Sequence, residues 1–174
     1  MCRRTKSSDV NAVLILNNAF LRYSIKKQFD PTLASNKVLI KGTKEELKKR
    51  ILNPIKQAQT PVFVAERRGK IIGFITGCVP NNSTQLRIKN AILQNIFISK
   101  TCRRGGEGTK LVKKFISFCK KRKINKIMLE FYSSDLGAKK FYTSKFLQFT
   151  ISTNLSQDPL KTTLELNLTP SPLP

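Results

Sequence analysis

The chain has 174 residues, with 33 Lys and Arg against 10 Asp and Glu for a formal charge of +23, and no histidine. A chain of this length suits one domain and can bury about 70% of its unfolded surface. With 40% apolar residues and eight each of Gly and Pro, it reads as a globular protein and not as a disordered polycation. The lack of histidine excludes a Ser-His-Asp centre and leaves carboxylates, tyrosines, cysteines and water to move protons. Cys2, Cys78, Cys102 and Cys119 form no C-x-x-C pair, which points to reduced thiols and away from a zinc cluster. No apolar run approaches the ~18 residues of a membrane span, and a cytoplasmic location is expected. The charge predicts salt-sensitive attraction to nucleic acid, an acidic membrane surface or a phosphorylated ligand. A lysine-rich solvated surface accounts for it equally.

In chain order, residues 2 to 6 read as a short strand, and Ser8 or Asp9 caps a helix with Val10, Val13, Leu14 and Leu21 on its apolar face. That helix should end before Asp30-Pro31, and residues 30 to 42 read as a loop. Thr43 and Glu46 stand at the capping-box spacing and open a second helix, which Pro54 ends. Val62 to Val64 and Ile71 to Val79 flank Arg68-Gly69-Lys70 as a hairpin. After the loop Pro80-Asn81-Asn82-Ser83, Ala91 to Ser99 reads as a central strand. Leu111, Val112, Phe115, Ile116 and Cys119 then recur at helical spacing, with Lys110, Lys113, Lys114, Lys120 and Lys121 opposite. A strand over Lys126 to Tyr132, a helix over Leu136 to Lys145, and strands near Leu147 to Thr153 and Thr162 to Leu168 follow. The proline-rich segment 169–174 is expected to be disordered, so the folded domain is expected over residues 1–168.

The strongest local signal lies where the central strand meets the lysine-rich helix, at Cys102-Arg103-Arg104-Gly105-Gly106-Glu107-Gly108-Thr109-Lys110. Amides at a helix N-terminus have no internal partner, the helix dipole adds positive charge, and glycines let a phosphate approach closely. Arg103 and Arg104 add two formal charges, and together these groups describe a pyrophosphate cradle. The nucleotide-hydrolase loop needs Gly-Lys followed by Ser or Thr, but the only Gly-Lys precedes Ile71. The dinucleotide fingerprint starts at Gly106-x-Gly108 but meets Leu111 where its third glycine belongs.

Arg103-x-x-Gly106-x-Gly108 resembles the Arg/Gln-x-x-Gly-x-Gly/Ala coenzyme A signature of the GNAT superfamily of N-acetyltransferases. Asp135-x-x-Ala138-x-x-Phe141-Tyr142 is similar to that family's Asn-x-x-Ala-x-x-Phe-Tyr segment. Asp135 replaces the usual Asn, and Phe146-Leu147 replaces the usual Gly-Phe. The opening strand and helix and the hairpin at residues 62 to 79 also take their family places. The resemblance implies a single-domain α/β (α+β) fold. Its mixed central sheet would have about six to seven strands, splayed between strands 4 and 5 and flanked by about four helices.

It further implies acetyl-CoA as acetyl donor, bound through the main chain of Phe97 and Ile98 and through Arg103, Arg104, Gly105, Gly106, Glu107, Gly108 and Thr109, with Asp135 nearby. Tyr142 takes the place of the tyrosine that protonates the departing thiolate. The implied reaction is direct attack by a neutral amine on the thioester, with a backbone amide of the central strand near Ile96 meeting the developing negative charge. Where some relatives place a glutamate as base, the strand offers Asn90, Gln94 and Asn95, while Glu130 and Glu66 can act only through water. The acceptor is left open among small amines, protein amines and aminoacyl-tRNA. Ten carboxylates disfavour a polycationic acceptor. The competing reading is a basic module of the same fold that binds RNA or the ribosome through Lys110 to Lys126 with little catalysis.

Overall fold

The computed structural model describes residues 1–28, Asn53, 60–80, 89–146, 149–152 and 161–168. The loop expected over 30 to 42, the helix opened by Thr43, most of the 80–83 loop and the proline-rich tail lie outside them. Strand β1 (Cys2–Arg4) leads through a 3-10 turn at Ser7–Asp9 into helix α1 (Val10–Gln28). Lys6 is the N-cap of that 3-10 turn, with Asp9 at its third position just before α1. Asp9 closes the start from inside the first turn. Its carboxylate accepts from the Lys6 amide at 2.8 Å and from both terminal nitrogens of Arg3 at 2.6 and 2.9 Å, so an ionic clamp does what a capping hydroxyl usually does.

Strands β2 (Val62–Arg67) and β3 (Lys70–Cys78) form the expected hairpin, with Arg68 and Gly69 both at positive φ in its two-residue turn. Strand β4 (Asn90–Ile98) precedes helix α2 (Glu107–Lys121), then come β5 (Lys126–Tyr132), helix α3 (Leu136–Lys145), β6 (Thr150–Ser152) and β7 (Lys161–Asn167). All seven strands join one mixed sheet in the order β1-β2-β3-β4-β5-β7-β6, which is the α/β architecture the sequence resemblance implies.

One core lies between the sheet and α2 and α3, where Leu111, Val112, Phe115 and Cys119 are completely buried beside Ile75, Ile127 and Leu164. Each large side chain among them contributes about 1.5–3 kcal/mol by leaving water. The lysines of α2 all stay exposed, as the helical periodicity predicts. A second core lies on the opposite face, where Val13 and Leu16 of α1 meet Val64, Phe74 and Phe97. Leu16 is buried there, whereas Leu21 is only half-buried.

A single extra residue in β4 decides which core each of its side chains enters. Gly77 of β3 pairs with Leu93 and Thr76 with Asn95, leaving Gln94 as a bulge. Strand side chains alternate faces, so residues 91, 93 and 97 of an unbroken strand would share one. Here Ala91 and Leu93 enter the α2 core, while Phe97 enters the α1 core and Ile96 and Ile98 take over the first face.

Candidate active site

The bulge also marks the place where β4 leaves its parallel neighbour. The β4–β5 ladder runs from Asn90↔Lys126 to Leu93↔Leu129 and stops. Beyond it, β4 stays on β3 as far as Ile98, and β5 stays on β7 as far as Tyr132. Each strand is thus held by its other neighbour while the two part. A cleft of about 590 Å³ opens between them, lined by Ile92 to Ile96, Met128 to Tyr132, and residues of α1 and α3.

Peptide planarity sets what the parted end of β4 offers. The Ser99 amide donates to Ile72 on β3 at 2.8 Å, so the Ile98 carbonyl of the same peptide unit points the other way. There it accepts from Arg103 Nε at 3.0 Å. The Phe97 carbonyl, in contrast, faces Gly73 on β3. What Phe97 turns toward the site is its ring, which lies under the Arg103 guanidinium at 5.4 Å.

The same guanidinium sits 5.1 Å over the ring of Tyr23, a cation on two π-faces. Tyr23 comes from α1, one helical turn beyond Phe20, and both line the cleft. Its hydroxyl donates to both carboxylate oxygens of Asp135 at 3.0 and 2.9 Å. Burial, and then that carboxylate, push the Tyr23 hydroxyl up to about 12, so it remains a donor at neutral pH. Asp135 also accepts from the Ala138 amide at 3.0 Å and is the N-cap of α3. The Asp in place of Asn therefore has two local partners, and sequence inspection missed the tyrosine because 112 residues separate the pair.

Helix α3 carries Tyr142, which is 3% exposed and lines the cleft. Its ring stacks on Phe131 at 6.0 Å and meets Phe141 and Phe149 edge-on. Burial raises its pKa above the ordinary phenol value, with Asp135 adding to the rise, so the hydroxyl keeps its proton throughout the neutral range.

At the glycine turn, Gly106 is the N-cap of α2 with φ 82° and no side-chain cap, and the first intrahelical bond runs from the Lys110 amide to the Gly106 carbonyl at 3.0 Å. That φ favours glycine. Arg104 also has a positive φ of 66°, a strained choice of the kind that clusters at binding turns. Arg103 to Gly106 are exposed, and Glu107, Gly108 and Thr109 are half-buried. The Glu107 carboxylate accepts from Arg67 at 2.7 Å, and that bond foremost holds it below the usual carboxylate range.

The other candidates divide by position. Glu66 pairs with Arg3 at 2.8 Å near the β1 edge and does not line the cleft, whereas Glu130 does, 3.8 Å from Lys161. Asn95 donates to Thr76 at 3.1 Å. None of the four cysteines is among the lining residues, and burial raises Cys119 to about 12. Among the described residues, no three His, Cys, Asp or Glu side chains cluster as metal ligands, and no helix is long and apolar enough to cross a membrane.

A seven-stranded mixed sheet parted between two parallel strands, with a glycine turn at the end of the first, is the architecture that the sequence resemblance implies. The chain belongs to the acetyltransferase (GNAT) family, whose model matches residues 32–147. It is an acyltransferase. In structure it resembles the PaiA N-acetyltransferase of Thermoplasma acidophilum in complex with coenzyme A, with TM-score 0.75, 15% identity, and coverage of 96% of this chain and 98% of that one. It also resembles the ribosomal-protein-alanine N-acetyltransferase of Brucella melitensis, with TM-score 0.71, 19% identity, and coverage of 97% and 99%. The ribosomal-protein-S18-alanine N-acetyltransferase of Escherichia coli has TM-score 0.66, 17% identity, and coverage of 98% and 95%. At these identities the likeness establishes the fold. No curated protein matches the sequence.

The residues present fit coenzyme A. A helix N-terminus without a side-chain cap, with Arg103 and Arg104 beside it, suits a diphosphate. A cleft walled by strand segments with no partner in the β4–β5 ladder suits an arm rich in amides.

Proposed function

We propose that the protein transfers the acetyl group of acetyl-CoA to a primary amine held in the cleft, by direct attack with donor and acceptor bound together. The parting of β4 from β5 at Gln94 carries this reading, because it joins in one cleft the exposed edge of the central strand, Tyr142, and Tyr23 beneath Arg103. Arg103, Arg104 and the amides of Gly105 to Thr109 hold the diphosphate, and the Ile98 main chain orients the pantetheine arm. The amine nitrogen attacks the acyl carbon, and an amide of β4 near Ile96 meets the negative charge that develops on the carbonyl oxygen. As the carbon–sulfur bond breaks, Tyr142 gives its proton to the thiolate. Burial keeps this phenol protonated at neutral pH, so the proton is present when the thiolate forms. Asp135 is occupied by Tyr23 and the cap of α3, so Glu130 is the lining carboxylate left to take the ammonium proton.

Two neighbours are named for acetylating ribosomal-protein alanine, so protein α-amines belong in the acceptor panel. None of the α2 lysines lines the cleft, so the basic face alone does not favour an RNA-linked acceptor. The test is mass spectrometry of small amines, peptides with free α-amines and aminoacyl-tRNA incubated with acetyl-CoA, with thiol release followed in parallel. An acetylated amine with no acetyl group retained on the protein is expected. An acetylated protein that persists after donor removal would overturn direct attack, and no transfer to any acceptor would overturn the enzymatic reading of this cleft.

A further inference from the structure

Glu107 is an acid set inside a turn that would bind a diphosphate. It stands between Gly106 and Gly108 as the first residue of α2, so its carboxylate competes with any phosphate for the same helix dipole and amides. One oxygen accepts from Arg67 at 2.7 Å, and the other is buried with no hydrogen-bond partner among the described residues. Arg67 arrives from another part of the sheet, at the last position of β2. Gly105 is pressed against the pair: a Cβ there would stand 2.5 Å from both the Arg67 guanidinium and the second Glu107 oxygen. The turn thus keeps a side-chain-free position where arginine and glutamate meet.

We propose that Arg67 is a positioning residue for donor binding, its guanidinium holding the Glu107 carboxylate aside and neutralised so that the turn can accept a diphosphate. This rests on reading the turn as the coenzyme A cradle. Without Arg67, the carboxylate confronts the diphosphate as a like charge in a half-buried place, where charges interact more strongly than in water. Arg67 itself is well exposed, so removing it spares both cores.

The experiment is calorimetric titration of coenzyme A into wild-type protein, Arg67→Ala and Arg67→Ala/Glu107→Gln. The single variant should bind about tenfold more weakly and the double variant within about twofold of wild type, because removing the carboxylate's charge removes the need for its counter-ion. An Arg67→Ala protein that binds like wild type overturns this inference alone. A double variant as weak as the single also overturns it, since Arg67 then touches the ligand directly. Wild-type protein that gives no heat with coenzyme A overturns the cradle reading together with this one.

Discussion

The two halves of β4 share one strand and do opposite work. From Asn90 to Leu93 the strand pairs with β5, at Ile92 and Leu93 with β3 as well, and Ala91 and Leu93 are buried in the α2 core. From Asn95 to Ile98 it keeps only β3, and the free edge from the Gln94 bulge onward becomes a wall of the cleft. Residue type does not separate the halves, since Ile92, Leu93, Ile96 and Ile98 are all good strand formers. What separates them is the one-residue bulge at Gln94, which flips the side-chain alternation and re-aims the backbone where the ladder ends. The cleft exists here because the second half lacks a strand partner that the first half is given.

Deleting Gln94 should break this contrast most completely. Without the extra residue the strand alternates regularly with Ala91, Leu93, Ile96 and Ile98 on one face and Phe97 on the other, so both cores keep their side chains while the backbone loses the bend that parts β4 from β5. The expected result is loss of acetyl transfer with cooperative thermal unfolding retained, and a deletion variant with wild-type transfer would refute the role given to the bulge. Tyr142→Phe should act on the parted half alone, lowering kcat by about 10²–10⁴-fold while the melting temperature holds. Unchanged turnover would remove Tyr142 as the proton donor.

Arg103→Glu should weaken acetyl-CoA binding by about a hundredfold by replacing attraction with repulsion at the cradle. The stabilisation that saturating donor confers on wild type, read as a thermal shift, should vanish in the variant. The smallest effect is expected far from the split, at the Arg3–Asp9 clamp. Arg3 holds the Asp9 carboxyl below the usual range, so the clamp's stabilisation is complete above the ordinary carboxylate pKa and is lost as pH falls through the depressed folded value. Asp9→Asn should therefore flatten the acid limb of the stability curve without changing acetyl transfer at neutral pH. An identical acid limb in the variant would show that Asp9 contributes nothing to it.

Features built from neighbours in sequence were legible before the fold was known. The α2 periodicity, the Arg68-Gly69 turn and the glycine run each depend on local spacing, and each of these elements appears in the structure. The coenzyme A motif belongs to the same class, because its chemistry needs only a strand end, glycines and a helix start in succession. The start of α1 is local too, but the ion pair that ties Asp9 there to Arg3 of the preceding strand was not read from the sequence.

The Tyr23–Asp135 bond, the Arg67–Glu107 pair and the insertion of β7 between β5 and β6 had no local signature. Each joins segments that only sheet formation brings together. Periodicity and turn chemistry report the energetics of a few adjacent residues, and so the amino-acid order alone was enough to name most of the described elements and the glycine turn before α2. Where two parallel strands separate, and which distant side chains then share the cleft, is set by competition among hydrogen-bonding partners across the whole sheet. That competition is resolved only in the folded chain.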